Sequence, residues 1–175
     1  METLNLENYK GIIFDLDGVI YDITDAITKA VQDGVEKYKL KVEIDEILQE
    51  IAHLIEEIQH YPVPKIILNS FDLLKVDFLK DINYMKKLRI AIFLFNQFNK
   101  YREDSTIFIG IDKLINEINN KKLYLAILTN NKSQYAEEIL EKFKLTKYFP
   151  TIIGFNDVSE VKPDPEGIIK IIEKW

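Results

Sequence analysis

No cysteine occurs among the 175 residues, so disulfides and thiolate metal sites are both excluded, and zinc could rely only on His53, His60 and carboxylates. That absence fits a reducing compartment. Arginine is almost missing as well: Arg89 and Arg102 are the two among 23 basic residues, set against 29 acidic ones. A net charge of -6 excludes a dedicated nucleic-acid binder, which shows a basic face. It leaves room for a small anionic substrate, because one or two placed cations and a metal suffice locally. Long apolar runs are lacking: the longest, Ile90 to Phe95, is far too short to span a bilayer. The first residues, Met1 to Glu7, have neither the positive region nor the apolar stretch of a secretion leader. Taken together these absences predict a soluble cytoplasmic protein. There is no internal repeat, low-complexity tract or flexible linker, and the length suits one substantial core with a smaller insertion.

Three short apolar runs stand out. Ile12-Ile13-Phe14 is bounded by Gly11 and an acidic pair, Leu123 to Leu128 leads into Thr129-Asn130-Asn131, and Thr151-Ile152-Ile153 follows Phe149-Pro150. Continuous apolar segments of this length suit strands buried on both faces of a parallel sheet. Between them lie helical patterns, Ile111, Leu114, Ile115 and Ile118, then Tyr135, Ile139, Leu140 and Phe143. Strands alternating with helices predict right-handed βαβ units in an open doubly wound sheet.

The stretch from Tyr21 to Asp104 reads differently. A helix is predicted from Thr24 to about Tyr38, and Ile44 to Ile58 keep an amphipathic three-four spacing. Another helix opens at Pro64, and one more runs from Asp81 through Met85, Leu88, Ile92, Phe95 and Phe98. Phe93, Phe95, Phe98 and Tyr101 read as the core of this helical insert. His53 and His60, seven residues apart, read as surface or packing residues rather than a metal pair.

In an open α/β sheet, ligands bind beyond the carboxyl ends of the strands. The first such end carries Asp15 and Asp17 with Gly18, the second Thr129 and Asn130, and the loop after the third carries Lys162 ahead of Pro163-Asp164-Pro165. Two adjacent carboxylates repel each other and call for a cation or a metal-bearing anion. Hydroxyl and amide donors, a fixed cation and two carboxylates are what phosphoryl transfer to a carboxylate requires. Each residue alone has a plainer reading: a calcium loop for the acids, turn and cap residues for Thr129 and Asn130, a solvated lysine for Lys162, a helix cap for Asp164, and the first turn of a helix for Asn131. A calcium loop would place its glycine later than Gly18.

Ile13-Phe14-Asp15-Leu16-Asp17-Gly18-Val19, Ala126-Ile127-Leu128-Thr129-Asn130 and Val161-Lys162-Pro163-Asp164-Pro165-Glu166-Gly167, in that order, resemble the motifs of the haloacid dehalogenase superfamily. The likeness is to its phosphoglycolate phosphatase and phosphoglucomutase-like branch, and it covers nearly the whole chain. It implies a Rossmann-like core of residues 1–20 and 104–175 with an all-helical cap, residues 21–103, inserted after the first strand. It implies Asp15 as nucleophile and Asp17 as general acid and then base. Gly18, Thr129 and Asn130 would hold phosphoryl oxygens, with Lys162 offsetting charge. Mg2+ would be held by Asp15 and by the main chain of Asp17.

The family's final acidic motif has no counterpart after Lys162. The resemblance therefore also implies a sheet cut short beside Ile12 to Phe14, weak Mg2+ binding, and a strand edge open to self-association. The activity it implies is a Mg2+-dependent phosphatase acting on a small phosphorylated metabolite through an aspartyl phosphate, with neither nucleic acid nor membrane as partner. Two alternatives stay open: an impaired or truncated relative serving as a binding module, and a phosphomutase.

Overall fold

Gly11–Phe14 forms β1, Tyr124–Leu128 β4 and Thr151–Ile153 β5, the three runs expected to be strands, in a computed structural model that describes residues 6, 8–49 and 82–175. They make one parallel sheet in the order β1-β4-β5, with Ile13 beside Ala126, Phe14 beside Ile127 and Leu128 beside Ile153. Among the described residues β1 pairs with β4 alone and so forms an edge of this sheet. Two short strands, β2 (Tyr21–Asp22) and β3 (Thr106–Ile107), form a separate two-stranded sheet that the apolar pattern did not announce.

The chain divides into two units, Met1–Tyr21 with Ile107–Trp175, and Asp22–Thr106. In the first, successive side chains of a strand point to opposite faces. Ala126, Leu128 and Ile153 pack with Ile171 of α5 (Glu166–Ile172), joined by Ile13, Val158 and Trp175. Leu125 and Ile127, on the opposite face, are equally buried. The buried sides of α3 (Ile111–Asn120) and α4 (Ser133–Lys142), with Ile115, Ile118, Ala136 and Leu140, complete the core. Each Leu or Ile so enclosed contributes roughly 1.5–3 kcal/mol.

The second unit, as far as it is described, is helical. α1 (Thr24–Tyr38) and α2 (Tyr84–Arg102) pack antiparallel: Asp33 accepts from Gln97 Nε2 and, at 2.6 Å, from the Tyr101 hydroxyl, while Tyr38 near the end of α1 reaches the Arg89 carbonyl at 3.2 Å. The carboxylate of Asp33 holds the Tyr101 phenol in its protonated form and raises its pKa. Helix α2 begins at Tyr84 rather than Asp81, because the Asn83 side chain accepts from the Lys86 amide and caps it.

The face that α2 turns to α1 also differs from the expected stripe. It runs through Ile90, Phe93, Leu94, Gln97 and Tyr101, with the Phe93 ring edge-on to Tyr38 of α1 at 5.7 Å, whereas Met85 and Ile92 are exposed. A helix that is apolar nearly all round carries little periodic signal to pick one face. Residues 44–49 are helical as expected. The expected continuation to Ile58, the helix opening at Pro64, and both histidines lie outside the described residues. No helix among the described residues is long and apolar enough to cross a membrane.

Candidate active site

Parallel pairing brings the carboxyl ends of β1 and β4 side by side, and the loops beyond them carry the residues singled out from the sequence. Asp15 immediately follows β1. Its Oδ1 accepts from the Leu16 amide at 2.8 Å and lies 2.8 Å from Lys162 Nζ, although the two residues are far apart in the chain. The side chains are 37% and 26% exposed, respectively. At that exposure an ion pair contributes about 0–1 kcal/mol, so the arrangement matters for the charge it places rather than for stability.

Asp17 sits two residues further on, and both its carboxylate oxygens are engaged. Oδ2 accepts from Asn131 Nδ2 at 2.6 Å and Oδ1 from the Tyr135 hydroxyl at 3.3 Å. The chain then turns sharply at Gly18, whose φ of 77° is a left-handed conformation open to glycine, and the Gly18 amide donates to the Tyr21 carbonyl at 2.8 Å. In this conformation that amide serves the turn.

Thr129, 3% exposed, closes β4, and its Oγ1 accepts from the Asn131 amide at 3.1 Å. Asn130 directs its side chain to the main chain of Lys162, accepting from that residue's amide at 3.2 Å and donating to its carbonyl at 3.5 Å. Its amide group therefore holds the lysine's backbone. The loop is braced from β5 as well. Asn131's carbonyl accepts from the Phe155 amide at 2.9 Å, and Asn156 Oδ1 accepts from the Ser133 amide at 2.9 Å. This approach is possible because residue 154 is glycine: a Cβ there would lie 2.2 Å from Ser133 N and 2.6 Å from Asn131 O, both main-chain atoms that cannot easily yield.

The loop bearing Lys162 has a second brace. Glu166 accepts from the amides of Ser159 and Glu160, each at 2.9 Å, and pairs with Lys170 at 2.7 Å; Lys170 also donates to the Asp157 carbonyl. The bond from Lys170, followed by the Glu160 and Ser159 amides, pushes the Glu166 pKa down to about 2 from an ordinary 4.5. A carboxyl depressed on folding stabilises above its unfolded pKa, and that contribution is lost as pH falls through the folded value. We therefore expect the Ser159 and Glu160 amides to be protected from hydrogen exchange at neutral pH and to lose protection between about pH 4.5 and 2. In Glu166→Gln, which cannot ionise, their protection should be low and independent of pH across that window. Asp164 accepts from the Glu166 amide at 2.8 Å, close to the cap expected of it, with Pro165 in the cap position itself.

Asn131, Tyr135 and Glu166 are the site residues that sequence reasoning passed over. No local signal marked Asn131, which precedes the Lys132 cap of α4, as a partner of a carboxylate far away in the chain. Among the described residues no group of three or more His, Cys, Asp or Glu side chains could hold a metal ion. Asp15 and Asp17 are nevertheless hard oxygen donors of the kind that suits Mg2+, which keeps several waters and binds through one or two carboxylates plus a substrate phosphate.

A chain with these three motifs on this sheet belongs to the haloacid dehalogenase-like hydrolases, an enzyme family whose sequence model matches residues 12–175. Among its relatives is the phosphoglycolate phosphatase of Salmonella choleraesuis (strain SC-B67), 26% identical over 176 residues, covering 97% of this chain and 70% of the relative. The phosphoglycolate phosphatase of Escherichia coli (strain K12) is 25% identical over 175 residues, covering 96% of this chain and 69% of that one. Among solved structures, a hydrolase from Streptococcus pneumoniae TIGR4 superposes with a TM-score of 0.64 at 20% identity, covering 95% of this chain and 77% of the other. The expected Rossmann-like core with a helical cap is thereby borne out. So is the resemblance to the phosphoglycolate phosphatase branch.

Proposed function

We propose that this chain hydrolyses a small phosphate monoester through an aspartyl phosphate on Asp15. The observation that carries the reading is Lys162 Nζ at 2.8 Å from Asp15 Oδ1, which fixes a cation on the strand-end carboxylate beside a second acid. With Oδ1 held by Lys162 and the Leu16 amide, Oδ2 is the oxygen we assign to attack. It forms a bond to phosphorus as the bond from phosphorus to the leaving oxygen breaks, and Asp17 gives that oxygen a proton. Asp17, now a carboxylate, takes a proton from water as the water attacks phosphorus, releasing inorganic phosphate and restoring Asp15. Thr129 and main-chain amides near Asp17 and Asn130 bind the phosphoryl oxygens, and Lys162 offsets the charge that gathers on them. Mg2+, held by Asp15 and the Asp17 main-chain carbonyl, would supply further positive charge between carboxylate and phosphate dianion.

The named relatives make phosphoglycolate the first substrate to test, alongside sugar phosphates, nucleotides and pyrophosphate. Phosphate release from at least one of these is expected, dependent on Mg2+ and abolished by chelation. The ion should bind weakly, by calorimetry, because among the described residues no group of three or more acidic or histidine ligands is assembled. That lack also favours a second reading, a relative that binds phosphorylated ligands without turnover. Ligand binding with no phosphate release at saturating Mg2+ would establish this second reading and overturn the first.

A further inference from the structure

Both carboxylate oxygens of Asp17 are met by donors from the segment that opens α4. Asn131 stands just ahead of the Lys132 cap of α4 and Tyr135 lies in the helix's first turn, and both side chains reach the same carboxylate. Asn131 donates to Oδ2 at 2.6 Å and Tyr135 to Oδ1 at 3.3 Å. The shorter bond starts from a backbone that is itself fixed. The Asn131 amide donates to Thr129 Oγ1, and its carbonyl accepts from the Phe155 amide. Four backbone or side-chain contacts thus run from β4 and from the turn after β5, through Asn131 and Tyr135, to one carboxylate. Asp17 itself stands just before the turn at the left-handed Gly18, its backbone bridged to Tyr21, while its carboxylate is met by Asn131 and Tyr135.

We infer that Asn131 and Tyr135 form a latch that positions Asp17 for proton transfer to the leaving group. They are positioning residues, acting through Asp17 and touching neither substrate nor phosphate. The inference rests on the phosphatase reading and adds to it the two residues that aim the acid. A misaimed general acid matters when the leaving oxygen is strongly basic and hardly at all when it is a stable anion. A latch therefore has a signature that general loosening of the fold lacks. Loss of Asn131 should harm alkyl phosphates and spare activated aryl phosphates.

The test compares kcat/KM, which reports formation of the phospho-enzyme, for ethyl phosphate and dinitrophenyl phosphate in the wild-type chain and in Asn131→Leu and Tyr135→Phe. General acid catalysis contributes about 10²–10⁴-fold where it operates, so partial loss of aim in Asn131→Leu should lower the ethyl phosphate value by about tenfold or more. Tyr135→Phe, losing the longer bond, should lower it less, and dinitrophenyl phosphate should stay within about twofold in both. Equal losses on the two esters would assign Asn131 a structural role and overturn the inference.

A second measurement is independent of turnover. In the nitrogen-proton spectrum of the full chain, the Asn131 side-chain amide should be shifted downfield and slow to exchange. Both properties should disappear in Asp17→Ala or, if that variant does not fold, in Asp17→Ser. An Asn131 amide indifferent to residue 17 would sink the latch. If the wild-type chain releases phosphate from no ester, the phosphatase reading fails, and the amide comparison alone then decides whether the latch exists.

Discussion

Asp15→Asn is expected to reduce phosphate release to background while leaving the protein folded. Asparagine keeps an oxygen at the Oδ1 position, so the contacts with the Leu16 amide and Lys162 Nζ survive in altered strength. What disappears is the anionic oxygen that would attack phosphorus, and the neutral amide is a far poorer nucleophile. Removing a nucleophile outright has cost on the order of a million-fold in kcat in an enzyme where it was measured, so the loss here should reach the assay floor. Stability should move by less than about 1 kcal/mol, because the ion pair it removes is part-exposed. Relief of repulsion from Asp17 should offset even that. The check is a paired measurement: phosphate release with the best ester found for the wild type, and thermal melting of both proteins. Turnover by Asp15→Asn at the wild-type rate would remove Asp15 from the nucleophile's position.

Lys162→Met is expected to fold normally and to lose about 10²–10³-fold in kcat/KM. The backbone of residue 162 is held by the Asn130 side chain, and its loop by Glu166 on the amides of Ser159 and Glu160. None of these contacts involves the lysine's own ammonium group. Methionine retains an unbranched stem of similar length, so the substitution removes a charge and little else. Loss of one preorganised donor to a developing oxyanion costs about 2.7–4 kcal/mol, which sets the expected range. Inhibition by inorganic phosphate should weaken in parallel, since the same cation faces the product. Activity within about threefold of wild type would mean that Lys162 serves Asp15 as a surface partner and takes no part in the chemistry.

How much of this was legible in the sequence differs from element to element. The strands β1, β4 and β5 were readable because a strand covered on both faces must be apolar at consecutive positions, and few other structures need that. Helices α1, α3 and α4 were readable from three-four spacing with one polar side. The packing face of α2 was not, because its apolar residues encircle the helix and its contact line includes Gln97 and Tyr101, polar groups recruited by Asp33 on α1. The two short strands β2 and β3 carry too few residues for any period to register.

The site divides along the same line. Asp15, Asp17, Thr129 and Lys162 could be picked out because charged or hydroxyl residues at the ends of buried strands are costly without a purpose. Asn130 could be picked out too, but not the direction of its amide, which reaches Lys162 across 32 positions of sequence. Asn131 looked like an ordinary helix-start residue, and nothing local distinguishes an asparagine that caps a helix from one that reaches a carboxylate 114 residues away.

The sequence by itself determined which chemistry can occur: a parallel sheet, two carboxylates at the end of one strand, a hydroxyl at the end of another, and a lysine in the loop after a third. Those are consequences of local pattern and residue type. Only the tertiary structure decided which groups meet, because β1-β4-β5 pairing sets the strand ends side by side. Close approach at Gly154 then locks the loop that bears Asn131, so that Lys162 falls on Asp15 while Asn131 and Tyr135 take both oxygens of Asp17. Hydrogen bonds act over about 3 Å, so partners far apart in sequence are fixed by the fold that brings them within that reach.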